Sequence, residues 1–171
     1  MEEKKFLICA KLAGLGPVRL KKLVDLHGSV ENIFLASGEE LKASGIPLKT
    51  AQRLREWDKL PWRKEIESCK KKGIRLITME DGEYPPLLKE IFDPPYMLYV
   101  KGKLPLSDNT ISIVGTRNPS LYGIKMAEKF AMELAYCGFT VVSGLARGID
   151  AAAHRGTLKI QGKTVGVLGS G

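Results

Sequence analysis

Between Ile111 and Leu168 the apolar β-branched residues fall into three short runs, Ile111–Val114, Thr140–Val142 and Thr164–Leu168. Each run gives way to polar residues that include glycine. Two longer stretches between them, Leu121–Tyr136 and Ile149–Ile160, have the apolar spacing of helices. Strand, helix, strand, helix, strand predicts a parallel sheet with crossover helices. The runs are almost continuously apolar, as expected of strands covered on both faces.

Upstream the period changes. Residues 5–59 read as a compact helical module. Phe6, Leu7, Ala10 and Leu12 form a first apolar stripe, and Gly14-Leu15-Gly16-Pro17 interrupts it. Pro17 suits the first turn of a new helix, whose stripe is Leu20, Leu23, Val24 and Leu26. Helix, glycine turn, helix is a helix-hairpin-helix arrangement. A weaker copy follows at Ala43–Ala51, centred on Gly45-Ile46-Pro47. Backbone amides of such a turn suit a phosphate, so Gly14, Gly16 and Arg19 are candidate nucleic-acid contacts, with Lys21 and Lys22 behind them. Packing or protein contact alone is an equally weighted alternative for this module.

Pro61 marks the next boundary. A helix from there to about Lys72 ends at Gly73, with Lys70–Lys72 as ordinary partners of a helix C-terminus. Ile74–Thr78 predicts a strand, Tyr84–Tyr96 a proline-rich cover, and Tyr96–Lys101 a further strand. Tyr84, Tyr96 and Tyr99 are expected to pack that cover down rather than stack on bases. The expected domains are a helical module over 1–60, a connector over 61–106 and a parallel-sheet domain over 107–171.

Charge adds a partner class. The chain has 171 residues and a net charge of +8, split as +3 over residues 1–60, +1 over 61–110 and +4 over 111–171. The excess lies in the two segments with anion-suited loops, which suggests a polyanion. Cys9, Cys69 and Cys137 are odd in number and far apart, without a CxxC pair. They suit reduced thiols in a cytoplasmic protein and argue against a zinc site. Cys9 and Cys137, in apolar helical patterns, are expected in the core. No signal peptide or membrane-length apolar run is visible.

The chemistry concentrates where the strands stop. Gly115-Thr116-Arg117-Asn118-Pro119-Ser120 follows the first run and Ser143-Gly144-Leu145-Ala146-Arg147-Gly148 the second. In open α/β sheets ligands bind outside the carboxyl ends of the strands. Glycine amides and one arginine per loop predict an anion site, with Arg117 and the Gly115 and Thr116 amides on one side and Ser143, Gly144 and Arg147 on the other. The alternative is tight turns with solvated arginines. Gly115 is followed next by Gly123, so no dinucleotide fingerprint is present, and there is no P-loop. No cofactor is expected. Ser143, Asp150 and His154 hold the letters of a hydrolase triad, but Val-Val-Ser-Gly-Leu lacks the nucleophile elbow.

The strings IVGTRNPSLYG, VVSGLARGIDAAAH and TVGVLGSG, preceded by Asp81-Gly-Glu-Tyr-Pro-Pro-Leu-Leu and Asp93-Pro-Pro-Tyr-Met-Leu-Tyr-Val-Lys-Gly102, closely resemble the DprA/Smf family of DNA-processing proteins. The resemblance runs from about Gly73 to the last residue. It implies an α/β fold: a Rossmann-like parallel sheet, here read as its first half and truncated, behind a small all-α helix-hairpin-helix or SAM-like domain. It also implies a cytoplasmic, non-enzymatic protein that binds single-stranded DNA, protects it during natural transformation and helps load the RecA recombinase. A homodimer is implied for the full-length protein. Asp150 and His154 would brace the rim loops. The rival expectation is a nucleotide-processing hydrolase of the lysine-decarboxylase-like (phosphoribohydrolase) type, which shares a Rossmann-like sheet.

Overall fold

The computed structural model describes residues 2–104 and 109–169, in two compact units, Met1–Gly102 and Lys103–Gly171. All of the expected helical module and residues 61–102 of the expected connector therefore fall in one unit, and the division lies a few residues before the expected boundary at 106.

The first unit begins with five helices: α1 (Glu2–Ala13), α2 (Pro17–His27), α3 (Val30–Leu35), α4 (Gly38–Ala43) and α5 (Leu48–Arg55). Their apolar stripes meet in a core that includes Leu7, Leu20, Leu23, Ile33, Leu41 and Leu54. Phe6, Phe34 and Trp57 extend it as an aromatic cluster with ring centroids 4.9–6.4 Å apart. Both expected hairpins are present. Gly14 (φ 94°) turns the chain between α1 and α2, and Gly45 (φ 77°) turns it between α4 and α5. Each turn buries its apolar residue, Leu15 in one and Ile46 in the other. Both side chains join the helical core, which explains why the two turns share an apolar position as well as a glycine. Ser37 and Glu40 form a reciprocal capping box at the start of α4.

Helix α6 (Trp62–Lys71) then leads to β1 (Ile74–Thr78), and Gly73 takes the left-handed turn between them (φ 64°). Strand β1 pairs antiparallel with β2 (Met97–Lys101), with Leu76 opposite Tyr99. The cover between the strands holds one short helix, α7 (Pro86–Lys89). Tyr84 is buried in it and donates its hydroxyl to the Pro95 carbonyl at 2.7 Å. Trp62, Tyr96 and Met97 pack against the helical core, so residues 62–101 form a layer on the helices. Lys11 adds to that layer, 3.3 Å from Glu65 and over the Tyr99 ring. The tyrosines of the cover thus pack.

The second unit is a three-stranded parallel sheet in the order β3 (Thr110–Ser112), β4 (Thr140–Ser143), β5 (Thr164–Gly166). Helices α8 (Leu121–Tyr136) and α9 (Ile149–Lys159) are the crossovers. This is the expected α/β fold with a Rossmann-like parallel sheet behind an all-helical region. Ladder pairing stops early in β3 and β5, although Ile113 N–H still reaches the Val142 carbonyl and Val167 N–H the Ser143 carbonyl. A buried cluster of this unit joins Ala131, Val141 and Ala153, with Ile111 and Ile113 packed against it. Strand β4 is largely buried, whereas Thr110 and Ser112 of β3 and Gly166 of β5 are exposed, so the outer strands are not covered on both faces among the described residues.

The two helices hold each other closely. A Cβ on Gly156 would collide with the Glu128 backbone, and one on Gly162 would meet the Ala135 side chain. Glu128 accepts from Lys159 at 2.5 Å and from Arg155 at 3.0 Å, which holds its carboxyl below the usual range. Cys9 is buried, and burial pushes its thiol up to about 11. Cys137 corrects the expectation of a core residue: it is exposed. It caps the last turn of α8, just before Gly138 turns the chain (φ 89°), and so leaves the buried stripe.

Candidate nucleic-acid interface

Parallel strands put their C-terminal loops at one end of the sheet, and here two of those loops touch. The bridge is Asp150, in the first turn of α9 and only 6% exposed. Its Oδ1 accepts from Gly115 N–H at 3.3 Å and its Oδ2 from Gly144 N–H at 3.1 Å. One carboxylate thereby fixes the exits of β3 and β4. The Ile149 amide donates to the Thr116 carbonyl at 3.2 Å. Gly148 (φ 89°) lies against the backbone of Thr116 and Arg117 so closely that no side chain fits there. Gly144 likewise has no room for a Cβ beside Asp150, and Gly115 none beside Ile149.

This bracing engages backbone groups at several of the predicted contacts. The Gly115 amide, expected beside Arg117, and the amide of Gly144 in the opposite wall are both donated to Asp150. Ser143 is buried and gives its hydroxyl to the Ile113 carbonyl at 2.7 Å, joining β4 to β3. Ser143 is thus buried beneath the rim, whereas Gly115 and Gly144 remain exposed with their amides engaged. Thr116 stays exposed, and its hydroxyl oxygen accepts from Asn118 N–H to shape the loop. Arg117 and Arg147 are exposed, and neither has a hydrogen-bond or ion-pair partner among the described residues. The rim therefore shows two open guanidinium groups on a loop pair fixed by a buried carboxylate.

His154 acts one turn further along α9. Its Nδ1 lies 2.7 Å from the Thr164 hydroxyl, which donates its proton to the Val141 carbonyl at 2.8 Å. With that proton committed, Nδ1–H must be the donor to Thr164. Burial pulls the His154 pKa below its ordinary value. This histidine thus locks α9 to β4 and β5, while the loops themselves are braced by Asp150. Ser143, Asp150 and His154 each have other partners and form no Ser–His–Asp relay. Among the described residues no cluster of His, Cys, Asp or Glu could hold a metal ion.

In the first unit Gly14, Gly16 and Arg19 are exposed at one hairpin. Gly16 caps α2 without a side-chain hydrogen bond, which leaves the Val18 and Arg19 amides of the first turn open. The neighbouring lysines are not open. Lys21 donates to the Phe92 carbonyl at 3.0 Å and Lys22 to the Ser44 carbonyl at 3.4 Å. They tie the hairpin to the cover and to the second turn.

The sequence model of the family described as DNA recombination-mediator protein A matches residues 75–171, more than half of the chain. The chain belongs to the DprA/Smf family. Protein Smf of Synechocystis is 35% identical over 177 residues, covering 99% of this chain and 44% of that protein. DNA processing protein DprA of Bacillus subtilis is 36% identical over 135 residues, covering 78% of this chain and 44% of that protein. The X-ray structure of DprA from Streptococcus pneumoniae superposes with a TM-score of 0.74 at 28% identity, covering 98% of this chain and 58% of that one. The chain therefore spans about half the length of these DprA/Smf relatives. The TRNPS and SGLARGID loops that carried the resemblance are the ones Asp150 joins.

Proposed function

We propose that this chain binds single-stranded DNA through the paired rim loops, as part of a recombination mediator that protects the strand and presents it to the RecA recombinase. The observation that carries the reading is the pair of exposed guanidinium groups, Arg117 and Arg147, without partners among the described residues, on a loop pair that Asp150 joins. Arginines in this state suit successive phosphates of a backbone, and preorganised loops avoid the entropic cost of ordering them on binding. Family membership supports DNA processing and a recombination-mediator role. Binding of this kind needs no chemical step, so the proposed role is non-enzymatic, and dimerisation belongs to the same proposal. The hairpin with Gly14, Gly16 and Arg19 is a second, weaker phosphate contact.

The test is a titration of the chain with single-stranded and duplex DNA at several salt concentrations. Tighter, salt-sensitive binding of the single strand is expected. Release of free base from a nucleoside monophosphate, without DNA binding, would replace this reading with the phosphoribohydrolase one.

A further inference from the structure

Between Gly144 and Ala146 sits a residue that neither bracing nor phosphate contact explains. Leu145 has φ 55°, the left-handed region that a leucine rarely adopts, and its side chain is 54% exposed. Both flanking residues are hydrogen-bonded within the fold. The Gly144 amide is fixed to Asp150, and the Ala146 carbonyl accepts from Ala151 N–H at 3.1 Å. The leucine side chain is seated over Gly166 of β5, where any Cβ would overlap it. Val167 and Leu168, which follow Gly166 in sequence, are exposed as well. A glycine would meet the backbone demand without strain, so turn geometry alone does not account for a large apolar side chain here. Strain of this kind concentrates at ligand sites.

We infer that Leu145 is a base-contacting residue that makes the rim selective for unpaired DNA. The inference rests on the phosphate reading of Arg117 and Arg147 above. The three residues lie on the loop pair that Asp150 joins, so a backbone held by the guanidinium groups has an apolar ledge beside it. Apolar side chains pack on the faces of unstacked bases, and this contact tolerates any sequence. In a duplex those faces are stacked and unavailable. The occupant is a nucleobase rather than a peptide because the ledge is flanked by unneutralised positive charge.

The experiment compares a single-stranded oligonucleotide with a strand of equal length built from abasic deoxyribose-phosphate units. The wild-type chain is expected to bind the base-bearing strand about fivefold more tightly, the low end of base-stacking effects. Leu145→Gly suits φ 55°, so the loop should stay intact, as read by exchange protection of the Gly144 amide. That variant should bind both strands alike, with unchanged affinity for the abasic strand and an unchanged salt slope. Leu145→Asn, which also tolerates this conformation, should behave the same way. If the wild-type chain binds both strands equally, or a folded Leu145→Gly keeps the preference, base contact is overturned while the phosphate reading stands. If neither strand binds, the phosphate reading fails and this inference fails with it.

Discussion

The hairpin of the first unit and the rim of the second are both glycine turns at helix starts beside basic residues, yet they are wired in opposite ways. At the hairpin the first-turn amides of α2 are open, while Lys21 and Lys22 are engaged by carbonyls. At the rim the Gly115 and Gly144 amides are taken by Asp150, and Arg117 and Arg147 are open. A glycine-rich turn near a cation therefore does not reveal which group meets an anion. That depends on what else competes for the amides. At the rim a buried carboxylate does so, and in the proposed reading the phosphate contacts pass to the side chains.

The largest break in this comparison should come from Asp150→Ala. It leaves two amides without their charged acceptor and should destabilise the second unit by about 3 kcal/mol, the scale of hydrogen bonds to a charged group. Single-stranded DNA affinity should fall with it. Amide exchange at Gly115 and Gly144 provides the check. Both Trp57 and Trp62 lie in the first unit, so tryptophan fluorescence should report that unit's unfolding with little change. If the substitution leaves exchange unaltered, Asp150 is not the brace.

Cation substitutions sharpen the contrast at smaller magnitude. Arg147→Ala should weaken single-stranded DNA binding about tenfold without lowering the melting temperature, as expected for one lost charge-assisted contact. Lys22→Ala should do the reverse. It should change DNA affinity less than about twofold and cost stability on the order of 1 kcal/mol through the lost bond to Ser44. Equal binding losses in the two variants would erase the distinction between the regions.

The smallest effect should be one of pH. Burial depresses the His154 pKa, so the unfolded chain binds a proton that the folded chain refuses. This contribution to stability is present above the ordinary histidine value of about 6.5. It should be lost as pH falls through the depressed folded value. Urea unfolding across that range, with His154→Gln as the pH-insensitive control, should show it in the second unit.

Much of this arrangement was legible in the chain. The periodicity of Leu121–Tyr136 matched α8 to the residue, and Gly14-Leu15-Gly16-Pro17 and Gly45-Ile46-Pro47 marked both hairpins because turn chemistry is local. What escaped depends on contacts distant in sequence. Asp150 takes an amide 35 residues away, so nothing beside Gly115 in the sequence signals that its N–H is used. Ser143 reads as an exposed rim serine until the β3–β4 register buries it. Gly156 and Gly166 sit within a helix and a strand as apparent weak points, and only the approach of Glu128 and Leu145 explains them. Cys137 was misplaced because an apolar stripe does not show where its helix stops.

The most direct measurement is the salt dependence of single-stranded DNA binding by Arg117→Ala. Phosphate contacts position a strand without reading it, so affinity should fall alike for every sequence tested. The log–log salt slope should flatten by about 0.7, the counterion release of one phosphate contact on a single strand. A folded Arg117→Ala chain with unchanged affinity and unchanged slope would contradict the assignment of this rim as the DNA site.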